Sequence, residues 1–70
     1  MGITLYDLLF ATNDDTAVAI FDNETGEMLR HPASCDEMMY AISEYEDCIV
    51  MDISIEVQSN IPVMNICIEA

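Results

Sequence analysis

Cys48-Ile49-Val50-Met51-Asp52-Ile53-Ser54-Ile55-Glu56-Val57 is the stretch whose pattern decides the fold. Ile49, Met51, Ile53, Ile55 and Val57 fall on one side; Asp52, Ser54 and Glu56 fall on the other. Side chains on a strand alternate with a period of two, so the stretch predicts a β-strand with one dry and one wet face. Ser59-Asn60-Ile61-Pro62 reads as a turn. Val63 to Glu69 then alternates again, with Met64, Ile66 and Ile68 set against Asn65, Cys67 and Glu69. Two alternating runs around a turn predict an antiparallel hairpin.

Working back from the hairpin, Ser34-Cys35-Asp36-Glu37 is a capping box: Ser34 caps and Glu37 reaches back. It opens a helix expected to run to about Glu46. Cys35, Met38, Met39, Ile42 and Tyr45 form its apolar stripe, and Glu37, Tyr40 and Glu44 share the wet face. Thr16 to Asp22 is β-prone, Asn23 to Gly26 is a turn, and Glu27 to His31 can return as a strand that Pro32 ends. Residues 16–31 therefore predict a second hairpin. At the front, Thr4 caps a short helix with Asp7 in the capping-box position. Leu5, Leu8 and Leu9 lie on one face, and Asn13-Asp14-Asp15 stops it. The expected architecture is a single α+β domain over residues 1–70, in the order αββαββ. It holds one four-stranded antiparallel sheet with the helices packed on its apolar face.

The chain has 70 residues, 14 Asp or Glu against one Lys or Arg, a formal charge of −13, and 53% hydrophobic residues. An acidic disordered tail is poor in apolar residues, so that class is excluded. Direct binding to nucleic acid or an anionic membrane is argued against by the shortage of cations. A domain this small buries only about 60% of its unfolded surface, so a dimer or a cationic partner would relieve both the thin core and the charge repulsion. The expected radius of gyration is roughly 11 Å.

Cys35, Cys48 and Cys67 are odd in number and lack C-x-x-C spacing, which offers no disulfide framework or zinc signature. They read as small apolar residues in a reducing compartment. The N-terminus lacks a basic region and a long apolar run, and Tyr6 stands where myristoylation needs Ser or Thr. A cytoplasmic protein is expected.

The search for chemistry is mostly negative. The single histidine, His31, would have to serve any Ser-His-Asp or Cys-His arrangement, yet it stands beside Pro32 without a motif and reads as an exposed strand-end residue. The two glycines, Gly2 and Gly26, make no phosphate loop. Asp22 to Glu27 offers oxygen ligands at alternate positions, but an EF-hand needs Gly at its sixth position and Glu at its twelfth. Here Gly26 is fifth and Ala33 twelfth, so the turn reading is stronger. No metal, no cofactor and no enzymatic activity are expected. Met38, Met39, Met51 and Met64 read first as core and second as an adaptable contact surface. Tyr40, on the wet helix face between two glutamates, fits an interface anchor as well as a surface residue without a role.

The acids recur in every segment and must cover a folded surface. Thirteen charges match about 22 Å of duplex DNA, at one charge per about 1.7 Å. Asp52 and Glu56 on one strand, with Glu69 expected on the same face of the next, would form a rigid array that a basic nucleic-acid channel attracts. Solubility needs only about 2–8 net charges, and halophilic adaptation does not suit so Ile- and Met-rich a chain.

Thr4-Leu5-Tyr6-Asp7-Leu8-Leu9, the strand ending Ile20-Phe21-Asp22 with its Asn23–Gly26 turn, the capped acidic helix and the alternating hairpin together resemble the small acidic proteins of bacteriophages and mobile elements. Several of that group are similar in being anti-CRISPR or antirestriction inhibitors that imitate DNA. The resemblance implies a stoichiometric inhibitor in the host bacterial cytoplasm. It would occupy a basic surface of a CRISPR effector or other defence nuclease. The group shares no motif from which individual residues can be carried over. The partner-binding candidates, chosen from the pattern alone, are Asp52, Glu56 and Glu69 on the sheet and Glu37, Tyr40 and Glu44 on the second helix. The alternative is an acidic structural or regulatory interaction module, dimeric through its apolar surplus.

Overall fold

The computed structural model describes residues 2–70. Its elements, in chain order, are α1 (Leu5–Phe10), β1 (Ala17–Asp22), β2 (Met28–Ser34), α2 (Cys35–Ala41), β3 (Val50–Gln58) and β4 (Ile61–Ile68). The fold is α+β, with a four-stranded mixed sheet in the order β2-β1-β4-β3.

The expectation of an all-antiparallel sheet is corrected. β1 pairs antiparallel with β2, and β3 with β4, but β1 and β4 meet in parallel, from Ala17↔Val63 to Asp22↔Ile68. The physical reason is the burial of both inner strands. Val18, Ala19 and Ile20 of β1 and Val63, Ile66 and Ile68 of β4 are the most apolar strand positions, and setting them side by side removes all of them from water. The two hairpins are thereby left with β2 and β3 as the edges.

Both helices are shorter than their capping signals suggest. Thr4 accepts from the backbone N–H of Asp7 at 3.2 Å, and Ser34 from that of Glu37 at 3.4 Å, so both N-caps form, whereas the return half of each capping box, Asp7 or Glu37 reaching back to the cap N–H, does not form. The expected extension of the second helix to Glu46 is wrong: α2 stops at Ala41, and Ile42 to Cys48 follow as tight turns, with Tyr45 N–H donating to Ile42 and Cys48 N–H to Tyr45. The turns keep Ile42 buried and Tyr45 half-buried against the core, which a continued helix would also do, but they additionally free the Cys48 and Glu46 carbonyls to accept from Leu5 and Tyr6.

Pro32 does not end the second strand. β2 continues through it to Ser34, and Cys35 opens α2 directly. An edge strand tolerates proline because its outward N–H has no ladder partner to lose. The β3–β4 turn is likewise tighter than read: only Ser59 and Asn60 form it, at φ 51° and 67°, and Ile61 and Pro62 already belong to β4. Two positive φ values in a two-residue connection describe a type I′ hairpin, whose twist matches that of the strands it joins.

The core is one cluster: Leu5 and Leu9 from α1, Cys35, Met38 and Ile42 from α2 and its cap, Val18 and Ile20 from β1, Ile66 and Ile68 from β4. No charged or polar residue is buried among the described residues. The radius of gyration is 10.9 Å, and the principal extents are 32 × 23 × 20 Å. No helix of the described residues is long and apolar enough to cross a membrane.

Candidate functional site

β3 does not have the dry face that its alternation predicts. Register places Ile53 beside Ile66 and Ile55 beside Met64, so its apolar residues do share the helix side of the sheet. They are nevertheless exposed, Ile55 at 65% and Val57 at 68%, together with Ile53, and Met51 at the irregular start of the strand is exposed as well. The cause is position. α2 packs over β2 and β1, and β3 is the edge strand on the far side of the sheet from β2. The helices cover the inner strands and leave this edge bare.

Asp52, Ser54 and Glu56 lie on the opposite, helix-free face, in register with Cys67, Asn65 and Val63. Both carboxylates are exposed. Four positions on a strand separate them by about 13 Å. Glu56 is held in place: Gln58 Nε2 donates to its Oε1 at 3.1 Å, and Asn65 Nδ2 to its Oε2 at 3.4 Å. Asn65 Oδ1 is buried and has no protein donor. The amide must point this way, since turning it over would set an oxygen against the Glu56 carboxylate.

The remaining candidate residues are not gathered with this pair. Glu69 lies just past the end of β4, its N–H donating to the Ile49 carbonyl at 3.0 Å. There it lines a shallow groove with Asp22, Asn23, Glu24 and Met51. The sequence pattern does not point to Asp22 and Glu24, because an antiparallel pairing of β1 and β4 would set their C-terminal ends apart; the parallel pair Asp22↔Ile68 brings them together. Glu37 and Tyr40 stand on α2, on the other side of the sheet from Asp52 and Glu56, with Tyr40 86% exposed. Glu44 is beyond the end of α2, contrary to its expected place on the helix, and its Oε1 meets Arg30 Nη2 at 3.4 Å. The six residues are thus spread over two opposite faces and one end of the sheet.

None of the carboxylates is buried, and all but the half-buried Asp22 and Glu46 are exposed. Arg30, the chain's single Lys or Arg, is on the helix side, against Ala41, Glu44 and Tyr45, so it neutralises nothing on the helix-free face. His31 is exposed on β2. Among the described residues, no three His, Cys, Asp or Glu side chains are grouped to hold a metal ion. The Asp22–Glu27 segment is a hydrogen-bonded turn: Asp22 Oδ1 accepts from Glu24 N–H at 2.9 Å, the Asp22 carbonyl from Gly26 N–H at 2.8 Å, and Gly26 takes φ 75°. One further exposed feature escaped the sequence reading. Tyr6 and Phe10, four apart on α1 and opposite its leucine stripe, stack with centroids 6.1 Å apart. The i, i+4 spacing was the available signal.

Comparison with family models, curated proteins and solved structures finds no match to this chain.

Proposed function

We propose that this protein is a stoichiometric inhibitor of the phage type, an anti-CRISPR protein or a related inhibitor of a defence nuclease, that acts as a DNA mimic. The observation that carries the reading is the helix-free face of β3, where Asp52 and Glu56 project from rigid backbone with no Lys or Arg beside them among the described residues. Thirteen net charges on a body 32 Å long amount to roughly two-thirds of the linear charge density of duplex DNA. Arg and Lys side chains that hold target DNA would pair with these carboxylates instead. The distribution of acids over opposite faces narrows the contact: Asp52 and Glu56 form the docking face, while Glu37, Tyr40 and Glu44 are too far round the molecule to share it. The test is competition on a basic effector nuclease. Duplex DNA in excess should displace the protein, affinity should fall steeply with salt, and the Asp52→Lys/Glu56→Lys double variant should lose binding. Capture that neither excess DNA nor salt weakens would defeat the proposal.

A second reading, an acidic interaction module, is favoured by a different observation, the bare row of Met51, Ile53, Ile55 and Val57. Binding through that row should survive high salt and tolerate the Asp52 and Glu56 reversals.

A further inference from the structure

We infer that β3 is the joint of a symmetric homodimer. In it, β3 of one copy pairs antiparallel with β3 of a second copy about a two-fold axis at Ile55, merging two four-stranded sheets into one.

The first observation is the contrast between the two sheet edges. Exposed edge strands invite pairing, and proteins blunt them with proline, bulges or brevity. The β2 edge is blunted: it contains Pro32, and its register with β1 slips twice, between Val18 and Ile20 and between Ile20 and Phe21. The β3 edge is longer, contains no proline, and is regular from Asp52 to Gln58, its one irregularity falling between Val50 and Asp52. One edge is protected and the other is left fit for pairing.

The second observation is that the bare apolar row lies on this same strand. Pairing at Ile55 sets Ile55 against the second copy's Ile55, and Ile53 against the second copy's Val57. Cross-strand side-chain pairs on one face are the unit from which a sheet gains its stability.

The third observation is the polar pattern of the strand, which fits a second copy and selects the register even though the net charges of the two copies repel. Centring the axis on Ser54 would oppose Asp52 to the second copy's Glu56 twice, and like charges directly opposite are destabilising. Centring it on Ile53 would draw the irregular Val50–Asp52 segment into the joint. Centring it on Ile55 sets Asp52 against the second copy's Gln58 and Glu56 against the second copy's Ser54, a carboxylate facing a donor in each case, and uses only the regular part of the strand. Centring it on Val57 would draw the Ser59–Asn60 turn into the joint, so the chain is self-complementary over its regular strand at the Ile55 register.

Pairing of this kind keeps the helix-free faces of both copies on one side. Asp52 and Glu56 from each copy then line a single seam, so the docking face proposed above is completed by the second copy. The pairing itself does not depend on that reading, and salt separates the two. Each copy carries −13, so screening that shortens the Debye length from about 10 Å at 0.1 M to about 3 Å at 1 M should tighten the dimer while it weakens the binding of a basic target.

The test is sedimentation equilibrium on the full chain, with cysteine cross-linking. The wild type should reach the mass of two chains, with a dissociation constant that falls on the order of tenfold from 0.1 to 1 M salt. Ile55→Lys should sediment as one chain with an unchanged far-UV spectrum, since Ile55 is exposed in the single chain. In a Cys48→Ser/Cys67→Ser background, Ile55→Cys should form an oxidised dimer and Ile53→Cys should not, because position 53 faces position 57. The cross-linking arm decides even if Ile55→Lys fails to fold. A wild type that stays one chain at 1 M salt, or a cross-link at position 53 and not at 55, overturns the inference. So does a single chain that takes up a synthetic strand of alternating Ile and Lys, which would make the edge a dock for a basic partner.

Discussion

Arg30 closes the C-terminal end of α2 by donating from Nε to the carbonyl of Ala41 at 2.9 Å. The helix has no basic residue in its own last turn, so a cation from the neighbouring strand does what a C-terminal lysine usually does. The guanidinium also donates to the Leu29 carbonyl at 2.8 Å and lies 4.9 Å from the centroid of Tyr45. Its pairing with Glu44, exposed and at 3.4 Å, adds little.

Replacing Arg30 tests that role. Arg30→Gln removes the fork and the ring contact and should destabilise the fold by about 1–2 kcal/mol, read as a lower urea midpoint with an unchanged slope. Arg30→Lys keeps the charge but not the planar fork and should fall between. Neither should alter binding of the basic partner proposed above, because Arg30 is on the side of the sheet away from Asp52 and Glu56.

The β3–β4 turn holds two non-glycine residues at positive φ, Ser59 and Asn60. The type I′ geometry favours Asn-Gly. Ser59→Asn/Asn60→Gly should therefore stabilise the protein by about 0.5–1 kcal/mol, seen as a higher melting temperature. Ser59→Val should act in the opposite sense, because a β-branched residue resists that backbone region.

The contrast between β4 and β3 predicts unequal responses to the same truncation. Ile66 is fully buried and Ile55 is 65% exposed. Ile66→Ala should cost about 2–5 kcal/mol, a large part of the roughly 3–10 kcal/mol typical for a chain this long. Ile55→Ala, measured on the single-chain species at low concentration, should stay within about 0.5 kcal/mol. Denaturant titration of both variants checks the pair.

What was legible in the sequence was local. The Thr4 and Ser34 caps, the Asp22–Gly26 turn and the alternation of β3 and β4 depend on neighbours a few residues apart, and each forms. What failed depended on distant partners. Nothing in the order of the strands tells Val18 and Ile20 that Met64 and Ile66 will lie beside them in parallel, so the pattern predicts antiparallel pairing throughout. Alternation assigns Ile55 to an apolar face without saying whether a helix reaches it; the place of β3 at the edge of the sheet decides that, and it is set by tertiary packing. The site followed suit. Asp52 and Glu56 share a face because the period of two demands it, whereas Glu69 joins Asp22 and Glu24 through the parallel pairing, and Glu44 leaves the helix because α2 ends early.

Cys35 links packing to pH. It is buried at the start of α2, where its Sγ–H donates to the Leu9 carbonyl at 3.2 Å. Burial pushes the thiol pKa above its ordinary value, and the carboxylates of Asp14 and Asp36 push it further the same way. Because the folded pKa is the raised one, the unfolded chain gives up this proton first as pH rises. The neutral thiol's contribution is thus fully present below the unfolded value, near pH 8.5–9, and is lost as pH climbs from there towards the folded value. Stability measured by urea should decline above about pH 9 in the wild type, and decline less steeply in Cys35→Ala, which should itself be less stable at neutral pH because it removes a buried sulfur and its hydrogen bond. Alkylation gives a second readout: in the folded protein Cys48 and Cys67, only half-buried, should be modified well before Cys35, and in denaturant all three should react together. Equal alkylation of the three in the native state would mean that α1 does not seal Cys35 from solvent.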